Sequence, residues 1–336
     1  MSAFALEDKL MPMSIPFRHA FAAQDRETSS PIKSRRAFAI RVLLGILACT
    51  PSANAGSRNS ITVDGRPRTY EIHVPVSYKS DQPVPLVLVL HGRLGNGKGT
   101  LALTHFDKVA DAHNFIAVFP DGLHRGWADG RGATDSDKQG VSDIHFLREL
   151  IRKVSTGYRV DRSRIYVTGI SNGGFMSQRV ACEMSDQIAA VGIVAATMGE
   201  YTADGCHPAS PVSVMFFQGT KDSLVPIGGG TLGRGGSRGA VLSLDAAAEK
   251  WVTLNGCKPA APSSALPDKA GDGTIVRSQK FSGCNADTEV IVYTIEDGGH
   301  TWPGGKQYLP EMMVGKTTRN IDASEALWDF FSRHTR

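Results

Sequence analysis

No stretch of this 336-residue sequence approaches the ~20 consecutive apolar residues that a membrane-spanning helix needs. There is no Cys-x-x-Cys spacing, which excludes the common zinc and thioredoxin-like frameworks. Neither sign of charge dominates: 37 Lys and Arg face 33 Asp and Glu, so nothing asks for nucleic acid or an anionic membrane surface as a partner. Internal repeats and long polar linkers are absent, which leaves no basis for a solenoid or for several tethered modules. Aromatic residues make up only 7% of the chain, too few to line a large aromatic pocket and fill a core as well.

What is present begins with an export pattern. Lys33, Arg35, Arg36 and Arg41 precede a short apolar run, Val42 to Cys49, and then Ala53-Asn54-Ala55. That is a basic region, a hydrophobic region and an A-x-A cleavage site. Ser34-Arg35-Arg36-Ala37-Phe38 resembles a twin-arginine signal. Residues 1–55 are therefore expected to be leader, and residues 56–336 one catalytic domain in an extracellular or periplasmic protein. Cys49 falls in the leader, and Ile46-Leu47-Ala48-Cys49 is a weaker match to a lipoprotein site. Cys182, Cys206, Cys257 and Cys284 remain, an even number that suits two disulfides and allows three connectivities. Proximity in sequence favours Cys182 with Cys206 and Cys257 with Cys284.

The chain is organised around Arg164 to Met176. Ile165-Tyr166-Val167-Thr168 reads as a buried strand, Gly169-Ile170-Ser171-Asn172-Gly173 is a G-x-S-x-G pentapeptide, and a helical run follows from Phe175 to Met184. Strand, sharp turn and helix are the context in which this pentapeptide presents a nucleophilic serine. Glycines at 169 and 173 remove the Cβ atoms that would collide where strand and helix cross. Before it, apolar strands are expected at Pro85–Leu90 and Phe115–Phe119, with one helix from Leu101 to His113 and another from Asp143 to Val154. After it come strands at Ala189–Ala196, Val212–Phe217 and Glu289–Ile295, with helices at Leu244–Leu254 and Ala323–His334. Alternating strands and helices imply an α/β fold, a mostly parallel sheet covered on both faces. Ligands of such sheets sit at the carboxyl ends of the strands.

Two of those ends carry chemistry. Asp222 follows strand Val212–Phe217, and His300 follows Glu289–Ile295. The order Ser171, Asp222, His300 is that of an α/β-hydrolase triad. His91 is the competing base, but a His-Gly pair after an early strand better suits bracing a loop beside the serine. Gly92-Arg93-Leu94-Gly95-Asn96-Gly97-Lys98 nearly matches a phosphate-binding loop, yet Gly99 stands where Ser or Thr must hold magnesium. The same turn can instead offer backbone N–H groups, and those of Arg93 and Asn172 are the candidate oxyanion hole.

Together, His91-Gly92, Pro120-Asp121-Gly122, Trp127-Ala128-Asp129-Gly130-Arg131, the pentapeptide, Gly219-Thr220-Lys221-Asp222 and Gly299-His300-Thr301-Trp302-Pro303-Gly304 resemble the secreted polyhydroxybutyrate depolymerase esterases. Feruloyl and acetylxylan esterases are similar. The resemblance covers about Ser60 to the C-terminus. It implies the α/β-hydrolase fold, a serine esterase with catalytic Ser171, Asp222 and His300, and neither metal nor organic cofactor. Trp127 and Trp302 are candidate substrate-binding walls for the acyl or alcohol group, with a place in the core as the other reading. Short hydroxyalkanoate oligomers are the expected substrates, with feruloyl or acetylxylan esters as the alternative; a non-catalytic binding protein on the same fold is the rival from another class. The sequence is silent on oligomeric state.

Overall fold

The structure, a computed structural model, describes residues 57–260 and 262–336. The expected leader, its Ala53-Asn54-Ala55 site and Cys49 lie outside the described residues. Among the described residues no helix is long and apolar enough to cross a membrane.

The strands are β1 (Ser57–Val63), β2 (Arg66–His73), β3 (Val84–Leu90), β4 (Ile116–Pro120), β5 (Val160–Ile170), β6 (Ala190–Val194), β7 (Ser213–Gly219), β8 (Gly230–Thr231), β9 (Ala240–Val241), β10 (Ser264–Ala265), β11 (Ile275–Phe281) and β12 (Val290–Glu296). Ten of them form one sheet in the order β1-β2-β4-β3-β5-β6-β7-β12-β11-β10. Its centre, β4-β3-β5-β6-β7-β12, is parallel, and antiparallel strands flank it on both sides. This is the expected α/β architecture, with an antiparallel β10–β11 edge that apolar patterning did not reveal.

Side chains alternate across each central strand, which explains the uninterrupted apolar runs. In β3, Leu86, Leu88 and Leu90 enter one core, while Val87 and Val89 enter the other. Ile116 and Val118 of β4 divide in the same way from Ala117 and Phe119. Both faces are buried, so neither face can be polar. Helices Asp143–Gly157 and Asn172–Glu183 supply the first core, through Phe146, Leu150 and Met176 among others. Helices Phe106–His113 and Ala323–Ser332 supply the second, through Val109, Leu327 and Phe331.

The helix expected over Leu101–His113 is two helices, Gly97–Thr104 and Phe106–His113. His105 between them is left-handed, with φ 53°. Its N–H closes the first helix on Leu101 O at 2.9 Å. The break lets Phe106 start the second helix fully buried, edge-on to Phe115 and Trp302.

The glycine-rich segment Gly228–Gly239 is part of a hydrogen-bonded hairpin built on β8 and β9. Leu232 N donates to Gly239 O at 2.8 Å and Arg238 N to Leu232 O at 3.0 Å, and Leu232 is buried. Gly229, Gly230, Gly233, Gly235, Gly236 and Gly239 all have positive φ, so left-handed turns account for the composition. Disulfides join Cys182 to Cys206 and Cys257 to Cys284.

Just before β12, Glu289 gathers two cationic groups and an imidazole. Its carboxylate accepts from His334 Nε2 at 3.1 Å and Arg333 Nη1 at 2.7 Å, and also from Lys280. Burial opposes ionisation, but hydrogen bonds from His334 and Lys280 and the charge of Arg333 outweigh it and hold the carboxyl at about 2, against an ordinary 4.5. A depressed carboxylate stabilises the fold above its unfolded pKa, and that contribution is lost as pH falls through the folded one. Glu289→Gln is therefore expected to lower Tm at pH 7 and to flatten the fall in Tm between pH 4.5 and about 2. Thermal melts of both proteins over that window check this.

Candidate active site

Steric closeness fixes the turn at Ser171. A Cβ on Gly169 would lie 2.5 Å from the carbonyl carbon of Gly173, and one on Gly173 would lie 2.3 Å from Leu90 O. Strand, helix and neighbouring strand touch backbone to backbone, and only glycine permits it. Between them Ser171 takes φ 56° and ψ −120°, a conformation that costs a non-glycine residue roughly 1–3 kcal/mol. Its N–H is anchored on Val194 O at 2.9 Å, and its carbonyl accepts from Phe175 N at 2.9 Å.

Asn172 is the first residue of the following helix, whose leading N–H groups have no acceptor inside the helix. Its side chain is held by the loop 127–131. Oδ1 accepts from Trp127 N at 2.8 Å, while Nδ2 donates to Trp127 O at 3.1 Å and to Asp129 Oδ2 at 2.6 Å. Asp129, fully buried, is paired with Arg131 Nη2 at 2.6 Å. Arg131 in turn covers the ring of Phe175 at 3.8 Å. Behind the loop, Asp143 accepts from Ala128 N at 2.7 Å and from Arg68 at 2.6 Å.

His300 and Asp222 meet across the ends of β12 and β7. Nδ1 of His300 lies 2.7 Å from Asp222 Oδ2, with both side chains nearly inaccessible. Asp222 Oδ1 accepts from the N–H groups of Leu224 at 2.9 Å and Val225 at 2.8 Å, and Gln218 Nε2 donates to Oδ2 at 3.1 Å. Every acceptor position of that carboxylate is used, which fixes its direction. Tyr308 donates its hydroxyl to His300 O at 2.9 Å. Burial, with the Asp222 charge adding to it, pushes that phenol up to about 12, so it remains a donor at neutral pH.

His91 is occupied elsewhere. Its ring lies 2.7 Å from Gly92 O through Nδ1 and accepts from Gly122 N through Nε2 at 2.9 Å. That pattern requires the neutral Nδ1–H tautomer, and burial lowers its pKa further from protonation. It braces the turn 92–95. There the N–H groups of Leu94 and Gly95 are committed to Arg125 O and Gly92 O, while no bond from the Arg93 N–H is found among the described residues.

A cleft of about 830 Å³ has Ser171, Asn172, His300, Gly92 and Arg93 in its lining, with Asp222 behind His300. Of the residues singled out in the sequence, Trp127 and Trp302 do not line it. Both are fully buried. Trp127 packs on Phe146 and donates to His91 O at 2.9 Å, whereas Trp302 packs on Phe106 and donates to Ser324 Oγ at 3.0 Å. Their indole N–H groups find partners only inside the core, which corrects their candidate place beside the substrate. The cleft wall is instead mostly aliphatic, with Leu94, Leu103, Ile170, Leu224, Leu232 and Met313, and its aromatic members are Phe175 and Tyr308. Gln218, Tyr308, Asp129 and Arg131 were not assigned roles from the sequence. The Trp127–Arg131 motif was visible, but its partner Asn172 lies more than 40 residues away.

Residues 69–225 match the family described as esterase PHB depolymerase. The chain is 27% identical over 279 residues to a putative esterase, NocK, of Nocardia uniformis subsp. tsuyamanensis, covering 80% of each. It is 26% identical over 313 residues to feruloyl esterase D of Neurospora crassa, covering 88% of this chain and 94% of that enzyme. Among solved structures, the acetyl xylan esterase of Aspergillus awamori superposes with a TM-score of 0.53 at 13% identity, covering 82% of this chain and 99% of that one. At that identity the likeness is one of fold. Since Trp127 lies outside the cleft, Trp127→Phe is expected to lower stability by about 1–2 kcal/mol through the lost hydrogen bond, with KM for short esters unchanged within twofold. Denaturant melts and steady-state kinetics on one preparation separate the two effects.

Proposed function

We propose that this chain, a carboxylic ester hydrolase similar over residues 69–225 to the PHB-depolymerase esterases, carries acyl transfer to water on Ser171, His300 and Asp222. The observation that carries the reading is the buried His300–Asp222 pair opening onto the same cleft as the strained serine. With Nδ1 directed at Asp222, Nε2 of His300 is the nitrogen left to take the Ser171 proton as the serine oxygen attacks the ester carbonyl. Asp222 holds the imidazole tautomer and stabilises the imidazolium. The N–H groups of Arg93 and Asn172 meet the developing oxyanion, a contribution of about 3–4 kcal/mol per donor in comparable sites. His300 then protonates the leaving alcohol, and water repeats the sequence on the acyl-enzyme to release the acid and restore Ser171.

For the substrate, esters of phenolic acids are the first reading, because named relatives at this level of identity are feruloyl esterases. This reverses the preference expected from composition. Short hydroxyalkanoate oligomers are the second reading, favoured by the mostly aliphatic wall and by the absence of both tryptophans from it. Two disulfides fit an oxidising compartment, and we take the chain to be exported as one catalytic domain.

Ser171→Ala is expected to lower p-nitrophenyl acetate turnover roughly 10⁴-fold or more while the circular dichroism spectrum is retained. Substantial residual turnover would contradict the role given to the serine. For the substrate, kcat/KM is compared for methyl ferulate and a 3-hydroxybutyrate trimer. The first reading requires the ferulate to be preferred, and a clear preference for the trimer selects the second.

A further inference from the structure

The lining of the cleft contains three arginines, Arg93, Arg131 and Arg238, and no aspartate or glutamate. The chain as a whole is nearly balanced in charge, so the excess belongs to this surface rather than to the composition. The three differ in what they already bind. Arg131 is matched: Asp129 takes its Nε and Nη2, its Nη1 donates to Arg238 O at 3.1 Å, and its side chain is almost wholly covered. Arg93 and Arg238 are exposed, and neither has an ion pair among the described residues. They come from separate segments, the turn after β3 and the β8–β9 hairpin. Arg131 fixes the second of these by holding the Arg238 carbonyl. Cationic groups of one sign over low-dielectric aliphatic walls focus an attractive field on an anion.

We propose that the substrate carries a free carboxylate away from the scissile ester, and that Arg93 and Arg238 receive it. The inference rests on the esterase reading above and deepens it by naming a chemical feature of the substrate. Guanidinium groups suit a carboxylate through paired N–H donors, and an exposed pair adds modest affinity that salt weakens. The carboxylate has two plausible sources of one chemistry, the acid end of a hydroxyacid oligomer or a uronic acid on a wall polysaccharide.

The test compares mono-4-nitrophenyl adipate with its methyl ester, following 4-nitrophenol release by the full chain. An aliphatic cleft without a cationic receptor would prefer the uncharged ester. The expected result is a kcat/KM ratio, acid over methyl ester, of about 3–10 at low salt. It should fall towards 1 at 0.5 M NaCl and in the Arg93→Gln/Arg238→Gln double variant. Because the readout is a ratio within one protein, a general loss from disturbing the loop cancels. A ratio at or below 1 in the unaltered protein, or one that both salt and the double variant leave unchanged, overturns the proposal while the esterase reading stands. No turnover of either ester removes both. Two further pairs identify the source: a hydroxybutyrate trimer against its carboxamide, and an acetylated oligosaccharide with or without a uronate. A preference for the carboxylate in either pair supports the proposal and names the source, and absence of preference in both overturns it for natural esters.

Discussion

The backbone of Gly173 passes so close to Leu90 that no side chain fits between them, and the geometry around Ser171 descends from that contact. It lets the helix Asn172–Glu183 start directly above β3 and β5, and the serine between strand and helix is left in a positive-φ turn. The cost of that turn is offset by what holds the helix. Its first side chain is clamped by Trp127 and Asp129, its Phe175 lies under Arg131, and Cys182 near its end is bonded to Cys206. A conformation that a free peptide would abandon is over-determined from three sides.

Two buried carboxylates near the cleft show how environment separates position from reactivity. Asp129 meets a guanidinium and an amide, and burial pushes its carboxyl up with Arg131 opposing. Its ion pair is spent on holding a loop. Among the described residues Asp222 has no lysine or arginine in an ion pair with it; one oxygen orients the His300 imidazole, and backbone and Gln218 donors satisfy the remaining acceptor positions. That arrangement aims one ring nitrogen of His300 inward and leaves the other for the cleft.

Much of this was legible in the sequence where the governing forces are local or periodic. Backbone sterics at Gly169 and Gly173 act over a few residues, so the pentapeptide between a strand and a helix reports its own shape. Strands buried on both faces appear as unbroken apolar runs, as in Leu86–Leu90, and Asp222 and His300 follow two such strands. The antiparallel strand Ile275–Phe281 buries only Val276 fully and leaves its other side chains half-buried or exposed, which gives it no comparable signal. Whether an indole faces a cleft or a core depends on packing between distant segments, and for that reason the sequence leaves both places open for Trp127 and Trp302. The glycines of 228–239 serve a series of left-handed turns, a use that their count alone does not specify.

The account stands on Ser171 as the nucleophile. A fluorophosphonate probe traps an activated serine covalently, and peptide mass mapping then locates the adduct. The predicted result is stoichiometric labelling confined to the peptide containing Ser171, greatly slowed by Asp222→Asn at neutral pH. Labelling at another residue, or labelling whose rate is indifferent to Asp222, would contradict it.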